Sequence, residues 1–507
     1  MKNAQTYAQS ADIYKTNKKI RIEEDSTLPD YCSDVTRVIK AEAIPTIASK
    51  KAYIRDDALF CDVSGTVRFN LIYLSEGGGI ERHSYTADFY DSTKADVSGI
   101  APDTLYTFAS ASCENVVCKV QSPRRVVCRT DLALSLDARA NKSFECWTDS
   151  DGTVEKMEKQ VASTRIASSK DAEFKMSEDI KLPKTLPPME RILSAILTVS
   201  ADETKAGDNS VSFWGNAGVS CIYLPEGEER IEAFYQPLEI KGSFEVDDAR
   251  SDMSVLAEII PSKLEYEIAI DELGENRVLK IDFSYIVEAL VEENTELTIA
   301  EDVYGISCSI TPQYEKREFK KYLGALRENT AIKEKLPLKK GVKSLEGADA
   351  VVNLRDTYFE NGELFANCRI TVSALGITDE APVLVSESFD TAVHLNLPAE
   401  VSGIYDDISF DMSQQTGFVD ARAEGGNMSV AFDLTTLANI YYNSEATFVS
   451  SVDMGEKASP RGENIFYYPT ADDTLWSVGK RYGVALETLA LANSITDKEL
   501  KRVMIIP

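Results

Sequence analysis

Histidine is nearly missing from this chain: 507 residues contain only His83 and His394. An acid–base enzyme built from it would have to rely on carboxylates, and neither histidine has a second ligand type at metal spacing. Basic charge is short as well. Fifty-four Lys and Arg face 83 Asp and Glu, a net charge of −29, so the surface repels nucleic acid and anionic membranes. No stretch approaches 18 apolar residues, which predicts no membrane span. Met1 to Ile20 lacks an apolar run of signal-peptide length, which predicts no export. Nucleophile elbow, zincin helix and dinucleotide fingerprint are all missing. Gly77-Gly78-Gly79 follows a strand-like run but opens no helix and precedes no Lys-Ser/Thr, so it reads as a turn. The expectation is a protein with no catalytic residues, no cofactor and no metal, that is, not an enzyme.

Cysteine is present but in an odd number, nine, with Cys32, Cys61, Cys113, Cys118, Cys128 and Cys146 in the first third. Extracellular chains of this size seldom leave thiols unpaired, so the count predicts reduced thiols in the cytosol. Cys113, Cys118 and Cys128 invite a zinc reading. No Cys-x-x-Cys or histidine completes the set, and Val116-Val117 and Val126-Val127 place these thiols in strands as small apolar residues. His83, beside Arg82, is expected as a solvated strand residue, and His394, between Val393 and Leu395, as a strand histidine with a partner. Length and 43% hydrophobic content predict three or four folded domains.

The chain repeats. Glu24-Asp25-Ser26-Thr27-Leu28-Pro29 recurs as Glu178-Asp179-Ile180-Lys181-Leu182-Pro183, and a third Leu-Pro is Leu336-Pro337. The spacing from Leu28 to Leu182 is 154 residues, and so is that from Leu182 to Leu336. Nine residues beyond the first two leucines stand Arg37-Val38-Ile39 and Arg191-Ile192-Leu193. Gly65 precedes Ile72-Tyr73-Leu74-Ser75-Glu76-Gly77 as Gly215 precedes Ile222-Tyr223-Leu224-Pro225-Glu226-Gly227. Arg125-Val126-Val127-Cys128 pairs with Arg277-Val278-Leu279-Lys280. The third copy is degenerate, with Cys368 to Ser373 as its strand core. Inside the units the signal is β. Val63, Val67, Phe69, Leu71 and Tyr73 alternate with small or polar residues, and hairpins are predicted around residues 76–79 and 272–276. Helix is predicted mainly between units, as at 151–166 and 314–327.

The last 44 residues change pattern to strand, helix, helix, strand. Asp473 and Thr474 sit where a helix would be capped, Gly483 stops it, and Leu475, Val478, Tyr482, Leu489 and Ile505 are the expected core. Trp476 lies about 100° around the helix from Leu475, where it either caps the core or faces a partner. Asp473-Thr474-Leu475-Trp476-Ser477-Val478, Lys480-Arg481-Tyr482-Gly483-Val484, Leu489-Ala490, Asn493 and Ile505-Ile506-Pro507 together resemble a LysM domain. That resemblance implies a βααβ fold whose groove binds N-acetylglucosamine polymers. Asp472 stands where the family has Gly, and Lys501-Arg502 where it has Pro-Gly, so a groove repurposed for a protein partner fits at least as well. The candidate partner- or glycan-binding surface is Asp473, Thr474, Trp476, Lys480, Asn493, Ile495, Lys501 and Arg502. This tail carries five acidic and five basic residues, so the whole charge excess lies in front of it.

The paired Leu-Pro and Arg motifs with the Ile-Tyr-Leu-x-Glu-Gly strand resemble the SPOCS domain of spore-forming Firmicutes. Several such units before one LysM domain resemble SipL-type spore-coat morphogenetic proteins. The fold expected is mainly β: three tandem sandwich-like repeat domains followed by a small α+β (βααβ) domain. The boundaries are an extension at 1–17, repeats at 18–150, 172–312 and 329–455, helical linkers at 151–171 and 313–328, a linker at 456–463, and the tail at 464–507. The resemblance implies a structural adaptor in the mother-cell cytoplasm at the forespore and coat surface. Its partner would be a SpoIVA-type coat morphogenetic ATPase, reached through the tail. The alternative is a wall protein that binds peptidoglycan or another GlcNAc-containing glycan.

Overall fold

The computed structural model describes residues 4–56, 58–96, 105–148, 152–228, 230–306, 308–360, 363–397, 401, 407–457, 464–495, 500 and 503–507. The chain is mainly β, with a small α+β region at its C-terminal end. The first unit contains β1 (Ala4–Thr27), β2 (Val35–Arg55), β3 (Ala58–Ser75), β4 (Ile80–Asp96), β5 (Tyr106–Ser122) and β6 (Arg125–Trp147). Strands β2-β3-β4 form a meander, while β6 returns to lie between β1 and β5 in a second antiparallel sheet. β2 runs beside β5, and the two sheets share one core, in which Leu59, Val63, Val67, Phe69, Val126 and Leu136 are buried.

The same order recurs twice. The second unit contains β7 (Val154–Lys181), β8 (Met189–Gly207), β9 (Ser210–Pro225), β10 (Glu232–Glu245), β11 (Ser254–Ala269) and β12 (Val278–Gly305). The third contains β13 (Cys308–Pro337), β14 (Ser344–Glu360), β15 (Glu363–Ile377), β16 (Val383–Asn396), β17 (Ile408–Thr416), β18 (Asp420–Glu424) and β19 (Asn427–Lys457). Their sheets are β10-β9-β8 with β11-β12-β7, and β14-β15-β16 with β13-β19-β17, where β18 also pairs with β19. The hairpins expected at 76–79 and 272–276 join β3 to β4 and β11 to β12.

The structure differs from the sequence expectation in the linkers, the N-terminal extension and the repeat alignment. Residue 151 lies outside the described residues, and 152–166 and 314–327 are not helical: from Val154 onward they are strand in β7 and β13, each paired along its length with the closing strand of its own unit. Their Glu, Lys and Gln content favours helix only weakly, and the ladder together with burial of Val161, Ile166, Phe319 and Tyr322 overrides it. Residues 4–17 are likewise no extension but the first half of β1, opposite Trp147 to Ser135. The repeat alignment shifts by one at the closing strand. Leu28 N–H bonds to Arg124 O and Leu182 N–H to Arg277 O, so Arg124, not Arg125, corresponds to Arg277.

That alignment gives the repeat motifs a physical role. Arg124 donates to Leu28 O, Pro29 O and Cys32 O, and Arg277 to Pro183 O and Leu186 O. Tyr73 and Tyr223 donate their hydroxyls to Ser33 O and Pro187 O on the same turns. The Leu-Pro turn therefore has orphan carbonyls that the Arg and Tyr of the motif satisfy. Gly65 and Gly215 lack side chains for a steric reason: a Cβ there would lie 2.2 Å from Thr46 O or 2.1 Å from Ser200 O.

The units close into a ring. Arg191 of the second donates to Ile80 O of the first, and Arg37 of the first donates to Pro382 O of the third. Asn141 exchanges two 2.9 Å bonds with the backbone of Ile166, and Asn294 donates to Tyr322 O, each reaching the following unit. Ile72 with Leu74, Ile222 with Leu224, and Leu375 with Ile377, one pair per unit, pack in a common central cluster with Ile39 and Leu193. A second shared cluster joins Phe144, Leu297, Phe319 and Phe448 from the long strands. His83 sits inside this assembly and is not the solvated residue expected. It is buried, its Nε2 lies 2.9 Å from Ser26 Oγ, and burial lowers its pKa. His394 lies on β16, its Nε2 2.7 Å from Glu363 and its ring stacked on Phe365.

Candidate functional site

The tail folds as β20 (Ile465–Tyr467), α1 (Leu475–Tyr482), α2 (Leu486–Asn493) and β21 (Met504–Ile506), with β20 antiparallel to β21. Thr474 caps α1: its Oγ1 accepts from Ser477 N–H at 3.1 Å, and Ser477 Oγ accepts from Thr474 N–H at 2.9 Å. Gly483 ends the helix at φ +65°. Val478, Leu489, Met504 and Ile506 are buried, with Leu475 and Tyr482 against them. Ile505, expected in the core, faces the other way. Three consecutive apolar residues fix no strand parity, and here the flanking pair turns inward.

Of the eight candidate surface residues, four serve the tail's own fold. The Asp473 side chain, 5% exposed, accepts from Tyr467 OH at 2.6 Å, Thr470 N–H at 2.8 Å and Arg481 at 3.2 Å. These bonds to its charged form, that from Tyr467 foremost, hold its pKa down at about 2. Thr474 is the cap. Asn493 is buried, donates to Leu489 O and Ile505 O, and accepts from Ile505 N–H, latching the last strand to α2. Ile495 packs on the tail core. Lys501 and Arg502 lie outside the described residues.

The remaining two face the second unit. Trp476 Nε1–H donates to Asp302 Oδ2 at 2.8 Å, and Lys480 Nζ lies 2.6 Å from both carboxylate oxygens of Asp302. Tyr314 OH donates to the same carboxylate at 2.7 Å. Burial pushes the Asp302 pKa up, but the bonds from Lys480, Tyr314 and Trp476 outweigh it and hold the group below the usual carboxylate range. The Trp476 ring meets Tyr304 edge to face at 4.9 Å, and Tyr304 OH donates to Val484 O at 2.9 Å. Gly479 allows that approach, since a Cβ there would lie 2.5 Å from Tyr304 OH. Helix α2 has no side-chain cap of its own; Glu155 of β7 accepts from Leu486 N–H at 3.0 Å and supplies one. Trp476 is thus neither a cap on the tail's core nor a free anchor. It is half of a clasp between tail and ring.

No protein-family model, curated protein or solved structure matches the chain. Sequence reading missed the ring's half of the clasp, Asp302, Tyr304, Tyr314 and Glu155. Only the register break between Ala300 and Asp302 sets Asp302 apart, and that break belongs to the fold, not to a motif. The thiols are separate from this site. All nine are free, and Cys118 faces Cys128 across β5 and β6, where Cys113 bonds to Thr130. Burial pushes the Cys61 thiol up to about 11 and Cys221 to about 12, which makes both poor nucleophiles. Among the described residues no three metal-ligating side chains come together.

Proposed function

We propose that this chain is a non-enzymatic structural adaptor in spore-coat assembly, with SPOCS-like repeats forming the body and a LysM-like tail as the docking module. Its partner is a SpoIVA-type coat morphogenetic ATPase at the forespore surface in the mother-cell cytoplasm. What supports the reading is the use of the tail's polar groups. Asp473, Thr474 and Asn493 are spent on internal bonds and Trp476 and Lys480 on Asp302. A glycan would have to break those contacts to gain its hydrogen bonds, each loss comparable to the gain. A protein partner has other surface to use: Phe466, Tyr468 and Leu491 on the tail are each more than two-thirds exposed, and aromatic side chains of this kind are common interface anchors.

The test is a comparison of the intact chain with one lacking residues 464–507. In sporulating cells the full chain should gather at the forespore and co-purify with the coat ATPase, and the truncated chain should do neither. Retention of the full chain on peptidoglycan, with localisation indifferent to the ATPase, overturns the proposal in favour of the wall-glycan reading.

A further inference from the structure

The three units do not fill the ring's centre equally. Each opens its meander with a matching five-residue stretch: Val38 to Glu42, Ile192 to Ile196, and Leu345 to Asp349. The ends of these stretches pair with Tyr73 and Asn70, Tyr223 and Ser220, and Gly376 and Ser373. In the first two units a bulge there presents Ile39 and Leu193 to the central cluster. The third unit has Glu346-Gly347-Ala348 instead, and its bulge falls on Gly347 and Ala348. Gly347 sits at φ +56°, and a Cβ on it would lie 2.6 Å from Ile222 Cδ1. Gly347 and Ala348 thus offer no counterpart to Ile39 and Leu193.

A cavity of about 290 Å³ occupies the place, between the second and third units with the first at its floor. That is near the lower end of small-molecule sites. Ile196, Ile222, Phe234 and Tyr235 form one wall, and residues 416–421 with Phe418 form another, Tyr235 and Phe418 stacked at 4.8 Å across its rim.

The charges in it are not balanced. Lys40 at the floor is buried and committed, 3.1 Å from Glu42 and 3.0 Å from Asp349. Glu42 also accepts from Ser194 at 2.6 Å and Asn70 at 2.9 Å. Glu346 has no ion pair or hydrogen bond of its side chain among the described residues. Arg230, whose charge pulls the Glu346 carboxyl down, already bridges Glu228 and Glu232. Burial, then Glu232, pushes the Glu346 carboxyl up to about 7. A part-buried carboxyl without an ion pair of its own favours a ligand that brings a positive charge.

We infer that this cavity binds a cationic chain end, an alkylammonium or alkylguanidinium group, with its charge at Glu346 and its alkyl part between Ile222, Phe234 and Phe418. The group comes either from a free amine or from a basic side chain of a protein, and the two are separable. Calorimetric titration of the intact chain at pH 8 uses n-pentylamine, pentan-1-ol as the uncharged match, and the peptide Gly-Gly-Lys-Gly-Gly. Pentylammonium should bind at least about tenfold more tightly than pentanol. Glu346→Gln, which keeps the shape, should remove that preference without lowering Tm. Ala348→Leu, which fills the cavity, should abolish binding of both. Peptide binding equal to that of the amine assigns the site to a lysine side chain, and binding of the amine alone assigns it to a small metabolite-sized amine. Equal binding of pentanol and pentylammonium, an unaltered preference in Glu346→Gln, or no heat with either amine or peptide overturns the inference.

Discussion

Replacing Asp302 with Ala should release the tail from the ring without unfolding either. The carboxylate accepts one 2.8 Å bond from the Trp476 indole and a two-oxygen contact from Lys480. A hydrogen bond to a charged group is worth about 1.5–3 kcal/mol. Lys480 is 43% exposed, so its ion pair adds only about 0.2–1 kcal/mol. The total, roughly 2–4 kcal/mol, corresponds to a shift of about 30- to 700-fold toward the undocked tail. Tyr304 to Val484 and Glu155 to Leu486 remain and keep the shift finite. The chain has only three tryptophans, so the Trp476 indole N–H can be followed by ¹⁵N NMR and assigned with Trp476→Phe. Its hydrogen exchange should accelerate by that factor in Asp302→Ala, while Trp147, buried in the ring, stays protected. An unchanged Trp476 exchange rate in a folded variant would refute the clasp. The pH dependence has a definite sign. A carboxylate whose folded pKa is depressed contributes docking energy above its free value of about 3.9 and loses it as pH falls through the folded value. The wild-type tail should therefore stay docked at neutral pH and loosen only in acid.

Two further outcomes bear on the ring. Glu258 lies directly opposite Glu288 in the β11–β12 ladder, and burial, then that neighbour, pushes its carboxyl up to about 7, with Lys50 pulling it down and Asp137 adding to the rise. A raised carboxyl loses stability as pH climbs from about 4.5 to 7, so the Tm advantage of Glu258→Gln over wild type should widen between pH 5 and pH 8; a constant difference contradicts the shift. Asn141→Ala leaves the buried N–H and C=O of Ile166 without their partner and should cost about 2–4 kcal/mol in urea unfolding; a loss below about 1 kcal/mol means that ring closure does not depend on it.

The β character of the repeats was legible because half-buried strands write a period of two, as from Val63 to Tyr73, and because the Leu-Pro spacing repeats. The long outer strands were not. From Val154 to Ile166 the outward side chains are Glu, Lys, Met and Gln, which suit a helix locally, and the partner that makes them strand is β12, more than a hundred residues away. In the tail the cap at Thr474 and the stop at Gly483 could be read because both act on their own helix. The eight candidate residues read as one surface only while the tail is taken alone. Asn493 looks like a groove residue in sequence because nothing there reveals that Ile505 needs both its amide groups satisfied. Nothing near Trp476 in sequence decides between a core cap and a partner anchor, because its partner Asp302 lies 174 positions away.

Three similar units tied into one polypeptide differ from three identical subunits in what a single substitution can do. In a homotrimer every change appears three times, and a glutamate at the axis would set three carboxyls against one another. Here Glu346 appears once, at the repeat position that Ile39 and Leu193 hold in the other two units, where they fill their own sectors. Covalent linkage thus lets two copies keep the centre packed while the third gives up packing for a chemical group, and the least regular repeat is the one free to be specialised.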